Sequence, residues 1–545
     1  MSEFCRMSPK QVFVREATGL VREIDLKGAT VYNILFNGFP MLQATGILML
    51  APFMFPGGDY VLAYVIAGVG LTFTNLVYAF LTAAMPRSGG EYVFVSRVLA
   101  PEIGFIINLA WVFVIISWLG WDTSLTTAVV ASFFSVLAPA TGSAAVTSAA
   151  SVLLSSTGRT VLGILLVLVN VGLALMPVGR YMRTIVIAVV AGFLISTPIG
   201  LGLFLAATPS SFKVLFDQYM QAYLASPDGY KQVLDGAYAA GYGGPQPTTI
   251  EATMPLLALA VLYTSAPFMS TYFGGELQRG GEARRHMMSM VLGGLYSCVF
   301  LQILLFVLMR TVLTPDFMGA ASFSYFMGQS IIPTDPYWWT FTYVLAINNL
   351  PLLMLLFVGY MLMGVPKMSG EILMPSRCVF AWSFDRLAPA KLSEVSERFR
   401  IPVYTVLAAA IVGFAFMFWM IGDPSSYITM STISAFVVLT LWAVVSIAAI
   451  VFPYRRRTLF EALAVGRKIV GIPLMSIVGA VSLGFVGWLF SMFFMNPSFS
   501  GYTWFTWIVM AVLYGGAFVY YYLVRYYWKR QGVEVGLAFR ELPPE

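Results

Sequence analysis

The stretch NGFPMLQATG at residues 37–46 decides the fold, because it interrupts an otherwise apolar run over residues 28–54. Glycine is flexible and proline has no amide hydrogen, so we expect a helix to break there. The stretch YTSAP at residues 263–267 interrupts a second apolar run, over residues 254–276, at a similar depth. Two apolar segments interrupted in corresponding positions indicate a transporter built from inverted repeats. Two ordinary proline kinks are the alternative interpretation.

The composition places most of the chain in a membrane. Of its 545 residues, 59% are hydrophobic and 10% are charged, whereas soluble proteins carry roughly 25% charged residues. A spanning helix needs about 20 apolar residues, and helical backbone satisfies its own hydrogen bonds in lipid. We therefore predict an all-α integral membrane protein with about twelve transmembrane helices, at residues 28–54, 60–85, 104–134, 159–177, 181–206, 254–276, 287–312, 338–365, 402–421, 427–453, 471–495 and 503–525.

The positive charges predict the orientation, because Lys and Arg gather on the cytoplasmic side of membrane proteins. With a cytoplasmic N-terminal segment at 1–27 and a cytoplasmic tail at 529–545, nearly all of these residues fall on the cytoplasmic side. The exceptions are Arg159, Lys213, Lys231 and Arg310. We therefore predict that both termini are cytoplasmic.

One outer loop is long, at residues 207–253. Its start, around residues 211–224, has the pattern of a short amphipathic helix. The loop either caps the outer mouth of the protein or forms a solvated linker.

Cysteine and histidine are too scarce for a metal or redox site. The chain has Cys5, Cys298, Cys378 and the single histidine His286, without metal-binding spacing, so we predict no metal and no cofactor. An intramembrane enzyme would need carboxylate pairs, histidine clusters or an activated nucleophile, so we predict that the protein is not an enzyme. The net charge of +6 reflects charges beside a membrane rather than a nucleic-acid partner.

The two interruptions predict the chemistry of the substrate. Unwound backbone within the bilayer must line a polar cavity, because its amides and carbonyls need partners. Half-helix N-termini offer N–H donors and a positive dipole end to an anionic group, and free carbonyl groups suit an amine or a cation. Together they predict a zwitterionic small molecule.

The clearest charge within a predicted span is Asp122. An intramembrane charge is expensive, which makes it a functional hypothesis by default. Asp122 could bind a coupling proton or face a cationic group of the substrate. The structural alternative is a carboxylate bonded to hydroxyl groups near the outer end of its helix. Asn348 and Asn349, in the predicted eighth span, could line the cavity or link neighbouring helices.

Three places carry a resemblance to a known family. The first reads MPRSGGEY at 85–92 and is followed by Ser96 and Arg97 and by PEIG at 101–104. The second runs from Ser376 and Arg377 through FDRLAP at 384–389 to RIPV at 400–403. The third is the sixth helix, which runs through Gly275 and Glu276 into the basic segment Arg279–Arg285. In these segments and in its helix pattern over about 20–525, the chain resembles the amino acid–polyamine–organocation family of permeases. The resemblance implies two inverted five-helix repeats, at 28–206 and 254–453, followed by helices 11 and 12 within 454–528.

The resemblance also implies a site between the first and sixth helices. Carried over by position, the substrate-binding residues are Leu42, Ala44, Thr45, Gly46, Leu262, Tyr263, Thr264, Ser265 and Ala266. Thr45 and Gly46 would receive the substrate carboxylate, and the Leu42 carbonyl would face the amine. The expected lining of the cavity adds Phe39, Pro267, Asn348 and Asn349.

The sequence departs from the family pattern at Pro40, Ala44, Pro267 and Phe268, which leaves the substrate open. The fifth helix lacks the lysine of some proton-coupled members, and the eighth lacks the hydroxyl groups of a related sodium site. Coupling to protons, to sodium or to neither ion therefore stays open.

The resemblance implies a secondary transporter in the plasma membrane, which moves amino acids or related small organic amines by alternating access. A carrier of polyamines or nucleobases is the alternative within transport. A channel fits less well, because no span repeats a pore-lining polar ring.

Overall fold

The computed structural model describes residues 22–36, 43–224, 227–264, 267–296, 302–396, 399, 401–423, 426–461, 467–496 and 504–539. These residues are mostly α-helical, which confirms the predicted all-α class. The strands named among them are β1 (Lys468–Ile469) and β2 (Ile472–Pro473), which form a short antiparallel hairpin.

The first part of the chain forms eight helices. They are α1 (Leu26–Phe36), α2 (Gln43–Met54), α3 (Tyr60–Ala84), α4 (Glu91–Val98), α5 (Pro101–Thr141), α6 (Ala144–Leu154), α7 (Ser156–Ala174) and α8 (Val178–Ala206). Proline suits the first position of α5, where its missing amide hydrogen costs nothing, and Gly142 ends α5 in a left-handed conformation with φ 62°. With 41 residues, α5 exceeds the predicted span at both ends.

The long loop after α8 is folded. It contains α9 (Pro209–Met220) and α10 (Gly229–Ala239), and α9 coincides with much of the predicted amphipathic helix. Phe212, Phe216 and Tyr219 of α9 are fully buried, and the Tyr219 hydroxyl lies 3.1 Å from the Ser135 hydroxyl of α5. The loop therefore packs onto the helix bundle and is not a solvated linker. The side of the membrane that carries it is called the long-loop face below.

The described residues of the second part of the chain form eleven α-helices. They are α11 (Ile250–Tyr263), α12 (Ala283–Leu295), α13 (Leu305–Leu313), α14 (Pro315–Phe326), α15 (Trp338–Leu345), α16 (Leu350–Phe384), α17 (Val403–Gly422), α18 (Ser426–Arg455), α19 (Arg457–Glu461), α20 (Leu474–Met495) and α21 (Trp504–Arg530), with 3₁₀ turns at Met269–Tyr272 and Gly274–Glu276. Two further 3₁₀ turns lie at Ala390–Ser393 and Val535–Phe539.

Nine helices in the described part of the chain are long and apolar enough to cross a membrane, or ten if the bent pair at α13 and α14 is one span. The nine are α3, α5, α7, α8, α16, α17, α18, α20 and α21. They match nine of the twelve predicted spans. The first, sixth and seventh predicted spans are the ones made of shorter helical pieces, so the structure is consistent with about twelve spans.

The predicted bounds of the eighth span, 338–365, are wrong. Its first third is the separate buried helix α15, and the spanning helix α16 runs from Leu350 to Phe384. The helix continues past residue 365 because the charged side chains of Lys367 and Arg377 are buried and ion-paired inside the protein. Lys367 and Arg377 therefore belong to a helix inside the protein, and their assignment to a cytoplasmic loop was wrong.

The core lies along α5 and α16, which pack against each other and against α7, α8, α17 and α18. Trp111 of α5 and Trp442 of α18 are fully buried there. Large apolar side chains are exposed instead on outer helices, for example Leu194 of α8, Ile411 of α17 and Val512 of α21. These exposed side chains suit a lipid environment.

Candidate functional site

The sixth span is broken within the bundle. Helix α11 ends at Tyr263, Thr264 is a turn, and the chain resumes only as short 3₁₀ turns from Met269. The Thr264 hydroxyl donates to the Ala260 carbonyl at 3.0 Å, which satisfies one carbonyl of the last turn of α11. Proline at 267 has no amide hydrogen and cannot continue the helical ladder. The predicted break of the sixth span is confirmed in these described residues.

Asn33 of α1 fastens this broken segment to the first span. The Ser270 amide donates to the Asn33 Oδ1 at 2.8 Å, and the Asn33 Nδ2 donates to the hydroxyls of Ser270 and Ser289. One buried amide thereby joins the first, sixth and seventh spans. The sequence analysis missed Asn33, although a lone asparagine in the apolar run YNILF was a detectable signal.

The first span was predicted to be non-helical over residues 39–46, and this is wrong for its last four residues. Helix α2 begins at Gln43, so Ala44, Thr45 and Gly46 lie in its first turn. The first amides of a helix lack partners within it, so helical geometry there still offers N–H donors. Phe39, Pro40 and Leu42 lie outside the described residues.

The predicted residues of the sixth span lie together at the end of α11. Leu262 and Thr264 are buried, as is Pro267 beyond the break. Tyr263 is the last residue of α11, and Ser265 and Ala266 lie outside the described residues. Phe268 is fully buried and stacks on Tyr78 of α3, with ring centroids 4.0 Å apart. The stacked rings of Phe268 and Tyr78 therefore lie beside the break of the sixth span.

Asn348 and Asn349 do not lie within a span. They occupy the turn between α15 and α16 and are exposed on the long-loop face. Asn348 exchanges hydrogen bonds with Gln218 of α9 at 2.8 and 3.1 Å. The Asn349 side chain accepts a hydrogen bond from the Leu352 amide and caps α16. The predicted place of both residues was wrong because the eighth span begins later than expected.

Asp122 belongs to a buried cluster of three charged side chains. Lys367 of α16 contacts the Asp122 Oδ2, and its Nζ lies 3.0 Å from the Glu371 Oε1 one turn further along α16. All three side chains are at most 1% exposed. Asp122 therefore pairs with a cation and is not held mainly by hydroxyl groups. We call this set the Asp122–Lys367–Glu371 cluster.

The sequence analysis missed Lys367 and Glu371 because it placed them in a loop. Their spacing of four residues was the available signal, since residues four apart on a helix share a face. The segment MLMGVPKMSGEILM at 361–374 is otherwise uncharged. A Lys and a Glu on one face of an apolar helix indicate a buried pair.

The face opposite the long loop is closed by buried polar contacts, which begin at the MPRSGGEY segment. Gly89 and Gly90 both have positive φ, 109° and 57°, and a Cβ on Gly90 would lie 2.8 Å from the Tyr272 ring. Glycine there lets α4 begin against the broken sixth span. The Tyr272 hydroxyl donates to the Glu91 Oε2 at 2.8 Å, and the Asn108 amide donates to the Oε1 at 2.7 Å.

Burial makes the Glu91 carboxyl in this layer easier to protonate than an exposed carboxyl. Burial raises the pKa of the Glu91 carboxyl from 4.5 to about 7, although hydrogen bonds from Tyr272 and Asn108 act in the opposite direction. Trp111 also donates to the Tyr272 hydroxyl. The carboxyl, the phenol and the indole therefore form a continuous chain of hydrogen bonds between α4, α5 and the sixth span.

Two buried ion pairs complete the layer. The Arg97 Nη2 lies 2.6 Å from the Asp385 Oδ2, and the Arg377 Nε lies 2.7 Å from the Glu276 Oε1. Arg377 of α16 thereby holds the last 3₁₀ turn of the sixth span. This face is closed by charges that must separate if a solute is to pass.

A cavity of about 480 Å³ opens near the long-loop face. It is bounded by α5, α7, α18 and the segment after α14, with Ala128, Arg159, Asp335 and Ile428 in its lining. The Arg159 Nη2 donates to the Ser124 carbonyl of α5 at 3.1 Å. The cavity therefore reaches the helix that carries Asp122.

The described residues contain no group of three or more His, Cys, Asp or Glu side chains that could hold an ion. Cys378 is buried, and the Asn108 amide donates to its sulfur at 3.6 Å. What the described geometry offers is broken helices, buried charges and a polar layer that can open.

No curated protein sequence matches this chain. The family model of the amino acid permeases matches residues 34–518, which include the broken sixth span and the Asp122–Lys367–Glu371 cluster. The match covers most of the chain and agrees with its many apolar helices. The chain therefore belongs to the amino acid permease family and is a multi-pass membrane transporter of amino acids or related solutes.

Proposed function

We propose that this permease is a secondary transporter of the plasma membrane that moves zwitterionic amino acids or related small organic amines by alternating access. The observation that carries the proposal is the broken sixth span, whose break at Thr264 is fastened beside α1 by Asn33. The described break leaves helix ends inside the bundle, where a solute can use their polar groups.

The ends of the broken helices suit the two charges of an amino acid. The first amides of α2, at Gln43 to Thr45, have no partner within the helix. Together with the positive dipole end of α2 they favour a carboxylate. The C-terminus of α11, at Tyr263, has a negative dipole end, which favours an ammonium group. Pairing these two ends supports the zwitterionic class, with the buried Phe268 and Tyr78 rings available to an apolar side chain.

Alternating access requires that each face open in turn. The face opposite the long loop is closed by the Arg97–Asp385 and Arg377–Glu276 pairs and by the Glu91 hydrogen bonds. Tyr272 and Glu276 belong to the 3₁₀ turns of the sixth span and bond to Glu91 and Arg377. A movement of that span therefore separates these contacts. The closed layer is therefore the structural element that opens in the proposed cycle.

Counterflow in proteoliposomes tests the proposal. The purified protein is reconstituted with one unlabelled L-amino acid inside, and uptake of the same labelled amino acid is measured across the standard set. We expect saturable counterflow for at least one amino acid. Counterflow by putrescine or by uracil alone would replace the substrate class, and no counterflow by any of these solutes would contradict the proposed function.

A further inference from the structure

The charges of the Asp122–Lys367–Glu371 cluster do not balance. One ammonium group faces two carboxyl groups, and all three are buried between α5 and α16. With both carboxyls ionised the cluster would carry one negative charge in a setting where an uncompensated charge is very unfavourable. The carboxyls of Asp122 and Glu371 also interact with each other. Like charges that share a site favour protonation of one of them.

Given the proposed function, on which this inference rests, we propose that the Asp122–Lys367–Glu371 cluster binds one exchangeable proton, which its two carboxyls share. Binding and release of this proton couple solute transport to a proton gradient. Protonation takes the cluster from one net negative charge to zero. Release returns the negative charge to the carboxyl pair. The proton belongs to the pair, since strongly interacting carboxyls titrate together.

The groups that face the cluster from the surrounding helices leave this count unchanged. They are Tyr32 of α1, Tyr181 of α8 and Tyr427 of α18, and phenols are neutral near pH 7. The hydroxyl of Ser369 on α16 donates to the Tyr181 hydroxyl at 3.1 Å. The further charges that act on Tyr32 are Arg377 and Glu276, which neutralise each other as an ion pair.

The proton has a route toward water along α5. Tyr427 donates to the Ser124 hydroxyl at 3.1 Å, two residues from Asp122. Arg159, which lines the 480 Å³ cavity, donates to the Ser124 carbonyl. Ala128 lies in the same lining and is about 9 Å along the helix from Asp122, at 1.5 Å per residue. The Tyr427 hydroxyl is acted on electrostatically by both Asp122 and Arg159, so it lies within reach of both the cluster and the cavity.

The cluster is also connected to the broken spans. Helix α16 carries Glu371 and, six residues later, Arg377, which holds the last turn of the sixth span through Glu276. Tyr32 of the first span is acted on electrostatically by both Glu371 and Arg377. A change of charge at the cluster therefore acts on both spans that form the proposed solute site.

The test uses Glu371→Gln and Asp122→Asn, each of which removes one negative charge and keeps the side-chain shape. Either variant leaves Lys367 with one carboxylate, a neutral pair that needs no proton. The matched control is Glu461→Gln, which removes the carboxylate of the exposed pair with Arg457, also four residues apart. In proteoliposomes we expect both cluster variants to retain amino acid counterflow and to lose accumulation driven by a pH difference, whereas the control keeps both.

A second measurement requires no solute. Infrared difference spectra between acid and alkaline pH are recorded on a Glu91→Gln background, because the Glu91 carboxyl also titrates in this range. They should show the carbonyl stretch of one further buried carboxylic acid, also after Glu461→Gln is added, and its loss when either cluster substitution is added. A third measurement uses only the wild type, where a pH dye inside the proteoliposomes should report proton entry with amino acid uptake.

Tyr427→Phe should slow the exchange of the proton and leave counterflow unchanged.

The outcomes separate the two proposals. The proposed coupling is wrong if both cluster variants retain counterflow and pH-driven accumulation. It is also wrong if the wild type takes up amino acid without proton entry. Either result leaves the proposed transport function standing. Absence of counterflow in the wild type overturns the transport function and, with it, the coupling. An infrared band that persists in both cluster variants on the Glu91→Gln background overturns the proton site itself, even if the variants are inactive in vesicles.

Discussion

Arg97 and Asp385 are 288 residues apart in the chain, yet the Arg97 Nη2 donates to both carboxylate oxygens of Asp385, at 2.8 and 2.6 Å. Both side chains are 1% exposed. The Tyr92 hydroxyl donates to the same carboxylate at 2.7 Å. The pair joins α4 to the end of α16 on the face opposite the long loop. Arg97 and Asp385 belong to the first two of the three places that carry the family resemblance.

We predict that Asp385→Asn strongly destabilises the protein. The substitution leaves a buried guanidinium without its counter-charge, which costs about 3–5 kcal/mol in comparable sites. The measurement is the thermal unfolding midpoint of the purified protein in detergent. Arg457→Ala, which breaks the exposed pair with Glu461, is the control and should leave the midpoint unchanged. Equal midpoints for Asp385→Asn and the wild type would show that the buried pair contributes nothing.

We predict that Glu91 makes the protein less stable as the pH rises from 4.5 to about 7. Burial raises the pKa of this carboxyl in the folded state, so the folded protein holds a proton that the unfolded chain has released. The stability contribution is full below pH 4.5 and is lost as the pH rises through about 7, by an amount on the order of 3 kcal/mol. Thermal unfolding of Glu91→Gln across this range should lack that loss, whereas Glu461→Gln should retain it.

We predict that Gly46→Val abolishes solute binding and leaves the protein folded. Gly46 lies in the first turn of α2, where the family resemblance places the substrate carboxylate, and a branched side chain there would fill the space. The measurement is counterflow together with thermal unfolding. Gly484→Val is the control, because a Cβ on Gly484 of α20 meets no atom within 4 Å. Normal counterflow by Gly46→Val would remove the solute from this position.

We predict that residues 207–253 are extracellular and both termini cytoplasmic. Cysteine labelling in intact cells with an impermeant reagent tests this, using Asp235→Cys in the long loop and Arg457→Cys on the other face, both at exposed positions. Labelling at position 235 and protection at 457 are expected. The reverse pattern would invert the topology.

The sequence by itself determined the membrane class, the approximate positions of about twelve spans and the break in the sixth. These follow from local properties: long apolar runs require helices in lipid, and proline at 267 removes a backbone donor. It also identified Asp122 as the clearest charge within a predicted span. The predicted bounds of the eighth span were wrong, because charged residues such as Lys367 and Arg377 are typical of a loop when their buried counter-charges are unknown.

Only the tertiary structure decided what those charges do. Lys367 meets Asp122 across 245 residues of chain, and Arg377 meets Glu276 across 101. A charge is tolerated inside a membrane protein only when its counter-charge is close, and that proximity depends on how α5, α16 and the sixth span pack. Hydropathy reports the cost of each buried charge, whereas the fold supplies the partner that compensates it.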